Sequence, residues 1–145
     1  MSRLTLVMGW LIISMSLSFT AAQPAGASQK LLQGSWTATK AERDGKAADA
    51  VVGHRLSFTG KRFEIRSKDD QVLFAGTVRV GARAIDFVHQ QGNLKGKTWQ
   101  GIYALSGDSL SVCDNAADLK KRRPTSFAAK RGSGYVLITF ERAKT

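Results

Sequence analysis

The chain has 145 residues, with 22 Lys and Arg against 11 Asp and Glu, one cysteine and a net charge of +11. That length holds a single domain, and a lone cysteine excludes an internal disulfide. With 43% hydrophobic residues, 23% charged residues and two prolines, the composition excludes wholesale disorder, collagen and low-complexity repeats.

Met1 to Ala22 read as a secretory leader. Arg3 supplies a basic front, Leu4 to Phe19 is an uncharged and mostly apolar run, and Thr20-Ala21-Ala22 offers small residues for cleavage. Ala25-Gly26-Ala27 is a second cleavage site. The apolar run falls short of the roughly 20 residues that a spanning helix needs, so cleavage is expected and no membrane span after it. The expected product is exported, periplasmic or secreted, with residues 23–28 as a flexible mature N-terminus and 29–145 as the folded domain. Losing the leader removes one Arg and no acid, which leaves the mature chain at +10. Export of a basic body argues against nucleic acid as a partner and for anionic surfaces, polysaccharides or small anions. Cys113, alone in an oxidising compartment, is expected to be buried and inert.

Beyond the leader, residues 27–32 suit a short helical lead-in. From Ser35 onward no stretch keeps a helical period, and short alternating segments recur with turn residues between them. The predicted strands are Ser35 to Arg43, His54 to Thr59, Arg62 to Ser67, Gln71 to Val80, Ala84 to His89, Thr98 to Leu105, Ser109 to Asp114 and Tyr135 to Arg142. Gly or Asp occupies the tight turns Thr59-Gly60-Lys61, Lys68-Asp69-Asp70, Val80-Gly81-Ala82 and Ser106-Gly107-Asp108, so sequence neighbours should pair. Alternation assigns Leu56, Phe58, Phe63, Ile65, Val72, Phe74, Gly76, Val78 and Val80 to the buried side, with Arg55, Arg62, Glu64, Arg66 and Arg79 opposite.

Eight antiparallel strands leave two exposed edges unless the sheet closes. The fold class is therefore all-β, an eight-stranded up-and-down barrel, with a two-sheet sandwich as the alternative. Residues 116–134 form the one long connection.

In a closed meander the first and last strands are neighbours, which would lay the guanidinium of Arg142 over the indole of Trp36, at the strand that Gly34 opens. Gly92-Asn93-Leu94-Lys95-Gly96-Lys97-Thr98 superficially suggests a phosphate loop, but it has three residues between its glycines where that loop needs four, and a strand follows where a helix is required. That spacing argues against nucleotide binding.

No catalytic set assembles from the spacings, so the chain is expected not to be an enzyme. Glu64, Asp86 and Glu141 face outward by alternation, and His54 and His89 lack further ligands at metal-binding spacing. No cofactor or metal is expected. His89 follows Ile85 and Phe87 on the inward side, which puts it either at a barrel mouth or in solvent at a strand end. Lys120-Lys121-Arg122-Arg123, ending at Pro124, is the densest charge run. It is either a solvated loop or a site for phosphate or sulfate groups.

Several motifs resemble one family in order. Leu32-Gln33-Gly34-Ser35-Trp36, Ala41-Glu42-Arg43-Asp44-Gly45-Lys46 and Leu56-Ser57-Phe58-Thr59-Gly60-Lys61-Arg62-Phe63 open the series. Ala84-Ile85-Asp86-Phe87, Gly101-Ile102-Tyr103-Ala104-Leu105-Ser106-Gly107-Asp108, Arg123-Pro124-Thr125 and Gly132-Ser133-Gly134-Tyr135 continue it. Together they resemble the small bacterial lipocalin-like domain first catalogued in planctomycetes. The resemblance runs from Gln29 to Arg142. It implies a lipocalin-like barrel of uncharacterised role, common in exported proteins, in which Gly34, Trp36 and Arg142 close one end. The central lipocalin motif and the usual disulfide are missing, so the interior either holds one small ligand or is packed solid.

The leading expectation is a monomeric, exported, non-enzymatic binding protein for a small amphiphilic ligand, its site lined by Phe74, Phe87, His89, Trp99 and Tyr103. The alternative is a module that meets an anionic polymer or an envelope protein through its basic surface, with Lys120, Lys121, Arg122 and Arg123 as the contact.

Overall fold

The computed structural model describes residues 25–144 of the chain. The expected leader, residues 1–22, lies outside them. A helix, α1, spans Ala25–Leu32. It starts two residues earlier than expected and takes residues 25–28 out of the expected flexible tail, since Ser28 is already buried.

Nine strands follow: β1 Gly34–Arg43, β2 Lys46–Ala47, β3 Arg55–Thr59, β4 Arg62–Arg66, β5 Val72–Val80, β6 Ala84–His89, β7 Thr98–Ser106, β8 Ser109–Asp114 and β9 Val136–Arg142. Eight of them match the expected segments to within one residue at each end. The addition is β2, a two-residue flap that folds back on the end of β1. Its turn, Asp44-Gly45, has positive φ at both residues, the backbone of a two-residue hairpin turn.

Each strand from β3 onward pairs antiparallel with the next, and β1 pairs with both β3 and β9. The β1–β9 ladder runs from Trp36 opposite Arg142 to Arg43 opposite Val136. That ladder closes eight strands into a barrel and excludes the sandwich, because no unpaired edge remains between the first and last long strands.

Most of the interior is filled. Trp36, Leu56, Ile85 and Leu110 are at most 1% exposed and interlock with Phe58, Phe63, Phe87 and Phe140. One expected inward residue is a correction. Val72 is 41% exposed, because the β4–β5 register shifts between Ile65 and Arg66. Phe74 pairs with Ile65 but Val72 pairs with the outward Arg66, so one extra residue turns Val72 over to the solvent face.

The long connection is laid against the barrel rather than free in solvent. Asn115 accepts from Gln100 N at 2.9 Å and donates to Lys121 O at 2.8 Å, Tyr135 Oη donates to Arg122 O at 3.0 Å, and Pro124 and Ala129 are buried. Cys113 points outward from β8 yet is fully covered, with Sγ 3.6 Å from Ala128 O. Burial pushes its thiol up, away from the reactive thiolate.

Candidate functional site

The two ends of the barrel differ in construction. At the end where β1 begins, α1 plugs the opening. Trp36 is completely buried and donates its Nε1–H to Leu32 O at 2.8 Å. Arg142 lies over the same indole, its guanidinium carbon 4.2 Å from the ring centroid. It donates to Gln33 O at 2.9 Å and Leu31 O at 2.8 Å, and pairs with Asp108 at 3.2 Å. Gly34 fits this corner because its φ of +105° suits glycine and a Cβ there would sit 3.5 Å from the guanidinium. The side-chain amide of Gln33 accepts from Gly60 N and donates to Gly60 O, tying the β3–β4 turn to the plug. Tyr103 belongs to this half as well, donating to Gly81 O at 2.7 Å.

At the opposite end a cavity of about 320 Å³ opens between the strand ends. Its wall is mainly apolar: Val51, Ile65, Phe74, Leu94, Trp99, Val136, Ile138 and Phe140. Three polar side chains join them, Arg43, His54 and Asp114. The volume falls at the low end of the roughly 300–1,000 Å³ typical of small-molecule sites.

Of the residues expected to line a ligand site, the structure brings Phe74 and Trp99 to the cavity wall. Phe87 and Tyr103 lie behind it, 2% and 6% exposed, because core side chains fill the barrel below the mouth. His89 is not on the wall either, nor is it a solvated strand-end residue. It is 1% exposed and stands in a ring of aromatic edges, with centroids 4.2 Å from Trp99, 5.5 Å from Phe63 and 5.6 Å from Phe74. Burial lowers its pKa, so the imidazole is neutral at pH 7.

This aromatic floor carries unpaired polar atoms. Nδ1 and Nε2 of His89 and Nε1 of Trp99 are buried without a hydrogen-bond partner. Each such group costs about 1–3 kcal/mol, so the floor of the cavity is held at an expense that the closed end avoids.

None of the three polar wall residues was expected as a site residue from the sequence. Asp114 continues the inward series of Leu110 and Val112 along β8, and this alternation could have found it. His54 likewise precedes Leu56 and Phe58 at a spacing of two. Arg43 gave no such signal. Straight alternation from Trp36 and Ala38 would turn Lys40 and Glu42 inward, but a register shift between Ala38 and Lys40 buries Ala41 instead and puts Arg43, itself exposed, at the rim of the cavity.

Asp114 is 6% exposed, and one of its oxygens accepts from Ala116 N at 3.0 Å. Desolvation outweighs that bond and pushes its pKa up to about 7. His54 is lowered by burial and by nearby Lys68.

The basic run divides. Lys120, Lys121 and Arg122 are exposed, and with Lys130 and Arg131 they put five exposed cations on one connection whose sole acid is Asp118. Arg123 is withdrawn from the expected polyanion site. It donates to Gly101 O at 2.7 Å, and its Nη1 lies 2.7 Å from Asp86 Oδ1 as a close charge contact without an aligned hydrogen bond. Its work is to staple the connection onto β6 and β7.

Among the described residues no three His, Cys, Asp or Glu side chains converge on one point, and no helix is long and apolar enough to cross a membrane. Compared with models of protein families, with curated proteins and with solved structures, the chain matches none. What the site can do is decided by its own residues.

Proposed function

We propose that the chain is an exported, non-catalytic binding protein that holds one small amphiphilic ligand in the open mouth of a lipocalin-like barrel. The observation that carries this is the cavity itself: an apolar wall of about 320 Å³ with polar groups confined to Arg43, His54 and Asp114. Such a lining supports an apolar tail inside and a polar head near the rim. The resemblance of the motifs to the small bacterial lipocalin-like domain supports the same class, and the sequence of residues 1–22 supports export.

The test is titration with an eight-carbon alcohol and with small aromatics while following tryptophan emission. In the chain from residue 23 on, which lacks Trp10, Trp99 stands in the cavity wall and Trp36 is sealed at the far end, so emission should change on binding and the change should vanish in Trp99→Phe. Unchanged emission with every probe would remove the proposal.

A second reading, a basic surface that meets an anionic polymer or an envelope protein, draws on the five exposed cations of the connection. Replacing Lys120, Lys121 and Arg122 together by Ser should then lower retention on heparin at low salt and leave cavity binding alone. Retention equal to that of the parent would end this reading.

A further inference from the structure

The exposed cations of the connection do not end with it. Lys120, Lys121 and Arg122 stand on its first half and Lys130 and Arg131 on its second, and the flap adds Arg43 and Lys46, both exposed. Packing joins the three groups. The Lys121 stem lies over Gly134, where a Cβ would come within 2.8 Å of its Cγ, and Arg131 lies over Gly45, where a Cβ would stand 3.2 Å from its backbone nitrogen. Gly45 N donates to Ala129 O at 2.7 Å and Gly132 N to Asp44 Oδ1 at 2.6 Å, so flap and connection are tied together.

The backbone beneath these side chains is fixed. Lys121 O and Arg122 O accept from Asn115 and Tyr135, and Lys130 O accepts from Ser133 Oγ at 2.6 Å. A partner therefore has only side chains to order, which lowers the entropy that binding must overcome. Among the described residues none of the seven cations forms an ion pair. Three acids beside them are engaged elsewhere: Asp44 and Asp118 accept backbone N–H groups of Gly132 and Lys120, and Glu42 pairs with Lys40 at 3.6 Å.

On the flap the charges work against stability. Arg43 and Lys46 are direct cross-strand partners, and like charges placed opposite one another destabilise a ladder. An anion laid across the pair removes that repulsion. The surface also restricts what kind of anion fits. A groove of about 290 Å³ separates flap from connection, but Arg43 alone of the seven cations lines it, beside Asp44 and Asp118. Two carboxylates in the wall disfavour a single small anion inside. The other six cations stand outside the groove on three backbone segments, an arrangement that suits charge repeated along a chain.

Resting on the second reading above, we infer that connection and flap form one strip that binds a linear polymer of repeated sulfate or phosphate groups, with Arg43 and Lys46 as contacts in addition to the connection. Arg43 also stands at the rim of the apolar cavity, so the polymer lies beside the mouth and leaves the interior open.

The experiment is calorimetric titration of the full chain with heparin between about 50 and about 200 mM salt. Each cation that meets the polymer adds roughly one to the slope of log affinity against log salt. Arg43→Ser combined with Lys46→Ser should therefore lower that slope by about two and weaken binding at the lower salt on the order of tenfold. The pair loses a repulsion, so the variant is expected to fold. Lys30→Ser combined with Lys61→Ser removes the same charge from exposed sites at the closed end and should leave slope and affinity within about twofold of the parent. A flap variant that binds like the parent, or a closed-end variant that loses as much, overturns this inference alone while replacement of Lys120, Lys121 and Arg122 still weakens binding. Inorganic sulfate that competes as well as heparin at equal charge would reveal a point site, and phosphatidylglycerol vesicles that bind more tightly than heparin at equal charge would put a membrane in the polymer's place; either overturns it. A parent chain that ignores heparin at about 50 mM salt removes the second reading and the inference together.

Discussion

Trp36 and Trp99 are the same residue type at opposite ends of one barrel, and they are treated in opposite ways. The Trp36 indole is completely buried, donates to Leu32 O and lies under the Arg142 guanidinium, which in turn meets two backbone carbonyls and Asp108. The Trp99 indole also lies among rings, but its Nε1–H has no partner, and neither nitrogen of the neighbouring His89 has one. An end built only for stability satisfies its buried polar groups. The other end leaves such groups unpaired beneath an open cavity, so the contrast separates a half built for stability from a half that gives some of it up.

The contrast can be broken most forcefully at the closed end. Trp36→Ala empties the largest fully buried side chain and should cost about 3–5 kcal/mol, read as a lower urea midpoint. Arg142→Ala should cost about 1–2 kcal/mol, since it loses the ring contact and the carbonyl bonds but stands partly in solvent. An unchanged midpoint in Arg142→Ala would mean that the pair does not close the barrel energetically.

Asp114 sharpens the comparison from the other side. An ordinary aspartate titrates near 3.8, whereas this one is pushed up to about 7 by burial. Between those values the unfolded chain releases the proton while the folded chain keeps it. Its contribution to stability is therefore full in acid, falls as pH rises through that window and levels off above about 7. Asp114→Asn removes the slope and should be the more stable protein at about pH 8, by on the order of 2 kcal/mol, with no such gain at about pH 4. Parallel stability profiles for parent and variant would show that the carboxyl is not held neutral.

The smallest effects lie on the connection. Arg123→Ala should cost about 1 kcal/mol, because it leaves two backbone carbonyls without their shared donor and removes the closer of the two cations beside Asp86. Replacing Lys120, Lys121 and Arg122 together should change stability by less than about 0.5 kcal/mol, as expected of solvated cations. Four adjacent charges in sequence would thus divide into one structural staple and three surface groups.

Strand positions, turns and the inside-outside pattern were legible in the chain because they follow from local rules: a period of two along a strand, and glycine or aspartate where the backbone must reverse. The closing contact between Trp36 and Arg142 followed once the meander was assumed to close, since closure makes the first and last strands neighbours. His54 and Asp114 obey the same period of two and were available to that logic. Arg43 and Val72 were not. Each sits just past a place where one strand carries an extra residue against its partner, and such a bulge reverses every later side chain. The bulge before Arg43 is decided by pairing between strands about 100 residues apart in β1 and β9, as in the contact of Thr39 with Thr139, and the one beside Val72 by the β4–β5 register. Nor could any local pattern remove Arg123 from its run of cations, because its partners lie 22 and 38 residues away. The sequence by itself determined which segments are strands and which faces are greasy. Only the closed barrel decided where the filling stops and which polar side chains stand around the space that is left, because that depends on the register of distant strands.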